Sequence, residues 1–232
     1  MKSYGQYCPV ARAAEILAER WTLLVIRELL WGNERFNAIA RGVPRMSPSL
    51  LSARLRQLER AGMVQRRLVD GEPRYRLTPA GAELMPIVEQ IGAWGQRWMQ
   101  QIRDDEYDPA VLMLDISREA AADPSRLPRD AATVQVALAE VPDRYRDWWL
   151  VFSAAGLDVC DTDPGHPVQA WLATDPATLT QIWLGQLSWA TAVHSETLRM
   201  HGDTTVCREM PTWLGVSRFA AVELAPRPLA RR

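Results

Sequence analysis

Residues 47–60, SPSLLSARLRQLER, are the segment that most limits how this chain can fold. Ser47 followed by Pro48 predicts a helix start, because serine caps free backbone N–H groups and proline fits the first helical position. Leu51, Leu55 and Leu58 recur at i, i+4 and i+7 spacing, so they share one face that must be buried. The opposite, outward side then carries Ser49, Ser52, Ala53 and Arg56.

The outward side of this helix is small and hydroxylated, and it carries one arginine. Such a helix enters the major groove of DNA without steric conflict, and its polar groups can contact base edges and phosphates. Arg54 lies at the flank of the leucine face, where it either reaches a phosphate or only braces the fold. The pattern predicts a DNA-reading helix, with an ordinary solvated helix as the alternative.

A basic β-hairpin follows this helix. Residues 64–68 and 74–77 alternate as strands around Asp70-Gly71, a dipeptide typical of two-residue hairpin turns. Such a hairpin is the wing of a winged helix and can hold the DNA backbone or minor groove. We expect Tyr75 on one side of the hairpin and the basic side chains together on the other. These basic residues are Arg66, Arg67, Arg74 and Arg76.

Further helices are predicted on both sides of this pair. Upstream they are expected at 9–18, 23–30 and 33–40, with Thr22 capping the second and Gly42 ending the third. Downstream, Thr78-Pro79 begins a long helix whose apolar stripe runs to Ile102. That stripe exceeds what a small domain can cover, so it predicts a homodimer interface or, alternatively, a surface covered by a second domain. A two-fold dimer would place two reading helices about 34–36 Å apart, matching a palindromic operator.

The charged residues divide the chain into a basic and an acidic part. Residues 1–103 contain 16 Lys and Arg against 9 Asp and Glu, whereas residues 104–232 contain 11 against 19. Only the first part suits a polyanionic partner. An acidic run and a proline near residues 103–109 predict the boundary, which gives a DNA-binding and dimerisation domain at 1–103 and a second domain at 109–232.

The same sequence predicts a cytoplasmic protein with no membrane partner. No apolar run is long enough to span a bilayer, and the N-terminus lacks the apolar core of a signal peptide. The three cysteines, Cys8, Cys160 and Cys207, are far apart and odd in number. They favour a reducing compartment over a disulfide scaffold.

Several motifs of the N-terminal part occur together in one order. They are CPVARA at 8–13, RWTLLVIREL at 20–29, RFN at 35–37, SP at 47–48 leading to GMV at 62–64, and YRLTPAG at 75–81. Together they resemble the HxlR-type winged-helix regulators over about residues 5–100.

This resemblance implies a homodimer that binds double-stranded DNA through the helix at 47–60 and the hairpin at 64–77. It draws attention to Cys8, because some members sense oxidants or electrophiles through a cysteine at this position; a purely structural role is the alternative. The expected DNA contacts are Arg35, Ser47, Ser49, Ser52, Arg54, Arg56, Arg66, Arg67, Arg74 and Arg76.

The C-terminal part mixes strand and helix patterns. Helices are expected after the capping residues Asp175 and Asp203. Strands are expected at 111–116, 133–139, 147–152, 168–173 and 218–224. The order predicts an α+β domain with a mostly antiparallel sheet.

Six of the ten tryptophans lie in this part, more than a domain of its size needs for folding. Their rings can line a pocket for a flat or greasy ligand, although a tryptophan-rich core is the alternative. The candidate ligand contacts are Trp148, Trp171, Trp183, Trp189, His194 and Trp213.

Three segments of this part, VQAWL at 168–172, DPATL at 175–179 and LRMHGD at 198–203, resemble the sterol-carrier-protein fold in their arrangement. The resemblance implies a hydrophobic cavity between sheet and helices, which in a regulator would take an effector.

No catalytic site, metal or cofactor is expected. No serine or cysteine sits in a nucleophile motif, and the carboxylates lack metal-ligand spacing. The sequence therefore predicts a two-domain α+β protein: a winged-helix regulator that releases DNA, as a repressor, on binding a small hydrophobic or aromatic effector. Activation is equally compatible. A cysteine-based redox regulator and a small-molecule or lipid carrier are the alternatives.

Overall fold

The computed structural model describes residues 3–226 and residue 229. The chain divides into two compact units between Ala93 and Trp94, and the division lies inside a helix. The acidic run after Arg103 belongs to the second unit. Each unit has its own hydrophobic core.

The first unit has the helix and hairpin order predicted from the sequence. Its elements are α1 (Pro9–Leu17), α2 (Thr22–Leu30), α3 (Phe36–Gly42), α4 (Pro48–Arg60), β1 (Val64–Val69), β2 (Glu72–Leu77), α5 (Pro79–Ala82) and α6 (Met85–Trp98), whose last turn is assigned to the second unit.

The serine-rich helix is confirmed as α4. The Oγ atom of Ser47 accepts a hydrogen bond from the backbone N–H of Leu50 at 3.3 Å, which is the expected cap. Leu51, Leu55 and Leu58 are fully buried and belong to the core of the first unit. Burying each leucine contributes about 1.5–3 kcal/mol, so this face fixes the rotation of the helix about its axis.

The hairpin is confirmed, with one correction to its faces. Asp70 and Gly71 have φ values of 53° and 79°, the left-handed conformations that a tight hairpin turn requires. Arg67 is paired with Arg74, but Arg66 is paired with Tyr75 and lies on the other face. Consecutive strand residues alternate between faces, so Arg66 and Arg67 cannot belong to one side.

Two helix termini differ from the prediction. Thr22 does not cap α2; the capping position is Trp21, in a left-handed conformation with φ 76°, and Thr22 is buried inside the first turn. Gly42 does not stop α3 but is its last residue. The glycine is needed for space, because an added Cβ would overlap the carboxylate of Glu28.

Glu28 joins α2 to the end of α3. Its side chain is fully buried and accepts hydrogen bonds from Arg27 Nη2 at 2.8 Å and from Asn33 Nδ2 at 3.0 Å. Arg27 Nη2 also donates to the carbonyl of Gly42 at 2.9 Å. A buried carboxylate is tolerated only when it is paired and hydrogen-bonded, and this cluster satisfies both conditions.

The long helix predicted from Thr78 to Ile102 is interrupted. Thr78 caps α5 as expected, but the helix stops after one turn and restarts at Met85. Pro86 explains the break, because it has no N–H to donate and fits only the first turn of a new helix. The second helix ends at Trp98, before Ile102.

The second unit is an α+β domain. Its elements are α7 (Pro109–Ala122), β3 (Ala132–Leu138), β4 (Asp147–Ser153), β5 (Gly156–Cys160), β6 (Ala170–Thr174), α8 (Pro176–Trp183), α9 (Trp189–His194), β7 (Leu198–Gly202) and α10 (Thr204–Leu214). The strand order is β5-β4-β3-β6-β7, in which β3 and β6 are parallel and the other neighbours antiparallel.

Two predicted strands of this unit are wrong. Residues 111–116 belong to α7, which Asp108 caps and in which Leu112, Ile116 and Ala120 are buried at helical spacing. Residues 218–224 form turns and irregular backbone and do not pair with the five-stranded sheet. The sequence reasoning missed β5, β7 and α9, which are too short to show a clear period.

The Glu28 cluster allows a stability test with two helical glycines. Gly42→Ala should destabilise the protein by about 1–3 kcal/mol, because the new methyl group displaces the buried carboxylate. Gly95→Ala in α6, where nothing lies within 4 Å of an added Cβ, should be neutral or stabilising by up to about 1 kcal/mol. Urea unfolding measures both, and equal effects would contradict the assigned contact.

Candidate nucleic-acid interface

The outward face of α4 is open to solvent. Ser47, Ser49, Ala53 and Arg56 are exposed and Ser52 is half-buried. The Oγ atoms of Ser47 and Ser49 are 3.2 Å apart, at the N-terminal end of the helix. This end carries the positive side of the helix dipole and exposed hydroxyl groups, both of which favour a phosphate or a base edge.

Arg54 differs from the other arginines of this surface. Its side chain is 9% exposed, with Nη2 3.4 Å from Glu19 Oε2 and Nη1 hydrogen-bonded to Gln57. These partners connect the end of α1 to α4. The sequence left two roles open for Arg54, contact with a phosphate or support of the fold, and this geometry favours support of the fold.

The hairpin arginines have unequal exposure. Arg66 and Arg67 are exposed on opposite faces, and Arg67 Nη2 donates to Gln65 Oε1 at 3.0 Å. The Arg74 side chain is only 18% exposed, and its Nη2 lies 3.6 Å from Glu72 Oε2. Arg76 is exposed, with its Nε 2.6 Å from Glu34 Oε1. Among the described residues, Arg66 and Arg67 are therefore the hairpin arginines that are exposed and have no carboxylate within ion-pairing distance.

Arg35 lies beside the hairpin because the segment before α3 pairs with β2. Tyr75 N donates to the carbonyl of Glu34 at 2.8 Å, and Arg35 forms a bridge with Arg74. Arg35 Nε is 3.4 Å from Glu72 Oε2, and both side chains are about 60% exposed. Exposed ion pairs contribute about 0–1 kcal/mol, so a phosphate can replace the glutamate at little cost.

Cys8 occupies the N-cap position of α1 without a side-chain capping bond, and it is free and half-buried. Cys160 and Cys207 are also free. Burial, together with nearby carboxylates, raises the pKa of both of these thiols. At neutral pH they remain protonated more fully than an ordinary cysteine and are poor nucleophiles.

The candidate ligand residues of the second unit do not gather in one place. Trp148, Trp183 and Trp213 are buried in its core, where the Trp213 and Phe152 rings are 5.6 Å apart. Trp189 is half-buried and packs against that core. His194 is exposed at the end of α9. Trp171 is exposed on the sheet face opposite the core.

Sequence reasoning missed the Glu28 cluster. A charged pair, Arg27-Glu28, interrupts the apolar run LLVIRELL, and that interruption was the available signal.

Within the described residues no group of His, Cys, Asp and Glu could hold a metal ion. Over the same residues, every helix is too short or too polar to cross a membrane.

Two known families match the two parts of the chain. Residues 16–103 match the HxlR-like helix-turn-helix family, and residues 114–214 match the SCP-2 sterol transfer family.

Individual relatives match the first part. The HTH-type transcriptional regulator YvaP of Bacillus subtilis is 37% identical over 99 residues, which are 41% of this chain and 92% of YvaP. The HTH-type transcriptional regulator YodB of the same organism is 31% identical over 97 residues, 40% of this chain and 87% of YodB. A solved structure of the reduced form of YodB covers 39% of this chain and 93% of its own, with 30% identity and a TM-score of 0.35.

These relatives are transcriptional regulators rather than enzymes, and the sequence motifs that suggested the family lie within residues 16–103, except for CPVARA at 8–13. The chain belongs to the HxlR-like helix-turn-helix family of transcriptional regulators, and its residues 114–214 are similar to the SCP-2 sterol transfer family.

Proposed function

We propose that this protein is a dimeric regulator that binds a palindromic operator through α4 and the β1–β2 hairpin. The observation that carries the proposal is the outward face of α4, on which Ser49, Ala53 and Arg56 are exposed above a buried leucine face. Small side chains let the helix approach the floor of the major groove, and one arginine can contact a guanine with two hydrogen bonds.

The remaining cations position the protein on the DNA backbone. Arg66 and Arg67 are exposed on the hairpin, and Arg35 and Arg76 make exposed ion pairs that phosphates can replace. Arg54 and Arg74 are mostly buried and support this surface from beneath. The proposal therefore assigns base reading to α4 and phosphate contacts to the hairpin.

The exposed stripe of α6 supports a dimer. Ile87, Ile91 and Trp94 recur at i, i+4 and i+7 and are 47%, 46% and 51% exposed. Three large apolar side chains in one row on a solvated helix form a patch of the kind that marks protein–protein interfaces. A second copy of the same helix is the simplest partner, because two-fold symmetry lets one apolar stripe cover the other.

We further propose that an effector bound by the second domain controls DNA binding. Such control requires only that the effector bind the DNA-competent and DNA-incompetent states with different affinity. A small hydrophobic or aromatic molecule is the class that the domain's family and its tryptophans favour. Release of DNA on binding makes the protein a repressor in this proposal.

The reading face is tested by comparing two arginines. Arg56→Ala should cost about 1–3 kcal/mol with the operator and relax preference at one base pair, because it removes a base contact. Arg67→Ala should weaken all DNA sequences similarly and lower the slope of log affinity against log salt by about 0.9. Arg129→Ala, an exposed arginine of the second unit, is the charge-matched control. Fluorescence anisotropy with specific and random duplexes separates these outcomes, and equal losses for both hairpin and helix variants would refute the assignment.

The dimer is tested on α6. Ile91→Glu should convert the protein from dimer to monomer, because a charge in the centre of the apolar stripe cannot be buried without a partner. Glu89→Gln changes the charge by the same amount at an exposed position on the opposite side of α6 and should leave the dimer intact. Sedimentation equilibrium measures both masses. A monomeric wild-type protein, or an unchanged mass for Ile91→Glu, would remove this part of the proposal.

Redox control through Cys8 is the second candidate function. Cys8 is a free, half-buried thiol at the N-cap of α1, and its side chain makes no capping hydrogen bond. Under this alternative, diamide should change operator affinity in the wild type but not in Cys8→Ser. Cys160→Ser is the control for a thiol whose pKa is raised. An identical diamide response in all three proteins would exclude Cys8 as the sensor.

A lipid or small-molecule carrier is distinguished by the same DNA measurements. Phosphate neutralisation makes operator affinity fall steeply with salt, whereas a carrier would show no salt-dependent DNA binding.

A further inference from the structure

The outer face of the second unit's sheet carries side chains that the core does not use. Cys160, Trp149, Gln135, Trp171 and His201 are neighbours across the five strands, one from each. Their neighbours along β4 and β6 are buried on the opposite face, against the helices. We call these five residues the outer-face row.

Trp171 is held in a fixed orientation within this row. Its Nε1 donates a hydrogen bond to Gln135 Oε1 at 3.0 Å, and Gln135 Nε2 donates to Asp147 Oδ1 at 3.1 Å. His201 stacks on Trp171 with ring centroids 5.3 Å apart and an interplanar angle of 9°. Trp171 is nevertheless 38% exposed. A ring that is fixed before binding loses little side-chain entropy when a ligand stacks on it.

The spacing of the strands leaves room for one flat ring beside Trp171. Trp149 and Trp171 lie on the two strands that flank β3, so their backbones are about 9.5 Å apart. Stacked aromatic rings have centroids about 4.5–7 Å apart. A planar ligand above Gln135 can therefore contact Trp149 and Trp171 together, while His201 supports Trp171 from the far side.

The charge of this face favours a cation. Asp147 and Asp158 lie on it, and neither has an ion-pair partner within 4.0 Å among the described residues. Arg199, on the same face, is paired with Glu196 at 3.2 Å. Burial and the carboxylates of Asp158 and Asp161 raise the pKa of the Cys160 thiol, as expected in a negative environment. Aromatic faces also attract cations through their quadrupole.

We propose that the outer-face row binds planar aromatic cations, stacked between Trp149 and Trp171 and attracted by Asp147 and Asp158. This site is distinct from the space between sheet and helices. The binding itself is independent of the proposed function; only the identification of this ligand class as the effector rests on it.

The test uses two flat tricyclic dyes of opposite charge, pyronin Y and resorufin, with the full-length protein and no DNA. Pyronin Y should bind at least about tenfold more tightly than resorufin. Trp171→Ala should weaken pyronin Y binding by about tenfold, and Trp171→Phe by less than about threefold, because phenylalanine keeps a stacking face. Fluorescence anisotropy of each dye gives the affinities.

Asp147→Asn separates charge from shape. It should weaken pyronin Y binding by about threefold and leave resorufin unaffected or slightly tighter. Asp163→Asn, the same change at an exposed residue outside the sheet, is the matched control and should have no effect. Circular dichroism reveals whether Trp171→Ala folds. If it does not, Asp147→Asn still tests the site.

Equal affinity of the two dyes, or unchanged pyronin Y binding in a folded Trp171→Ala or Asp147→Asn protein, would overturn the inference. Operator binding by the same variants is measured separately. Retained DNA binding with no dye binding would contradict only this site, whereas dye binding without DNA binding would contradict only the proposed function.

Discussion

The leucine face of α4 determines which side chains this helix presents to solvent. Leu51, Leu55 and Leu58 are fully buried, so the helix cannot rotate about its axis without exposing them to water. The serines and Arg56 on the opposite side are therefore held outward by packing rather than by contacts of their own. The Glu28 carboxylate adds a second constraint, because it fills the space that Gly42 leaves open and connects α2 to the end of α3.

Positive and negative charges around the hairpin are more nearly equal than the excess of arginines suggests. Glu34 and Glu72 lie beside Arg35, Arg74 and Arg76, so part of the positive charge is neutralised in the free protein. In the proposed complex, exchange of these glutamates for phosphates would make DNA binding sensitive to salt and to the position of the DNA backbone. Arg66 and Arg67 differ from them, because no carboxylate lies within ion-pairing distance of either among the described residues.

The tryptophans of the second unit lie in two environments, one on each side of its sheet. On its inner side, Trp148 of β4 and Trp213 of α10 complete the hydrophobic core and are inaccessible to ligands in this conformation. On its outer face, Trp149 and Trp171 lie on either side of Gln135, and Trp171 is fixed by a hydrogen bond to Gln135 and by stacking with His201 rather than by burial. The alternation of side chains along β4 places Trp148 and Trp149 on opposite sides although they are adjacent in sequence.

The sequence by itself determined the elements with strong local signals. The Ser47-Pro48 start, the leucine spacing, the Asp70-Gly71 turn and the caps at Asp175 and Asp203 each act within a few residues, and each was predicted correctly. Only the tertiary structure decided that Glu28 excludes a side chain at Gly42 and that Arg54 is buried against Glu19. It also brought Trp149, Gln135 and Trp171 into one row. Those outcomes depend on which distant segments come into contact. Strand register and helix packing determine these contacts, and local sequence patterns do not reveal them.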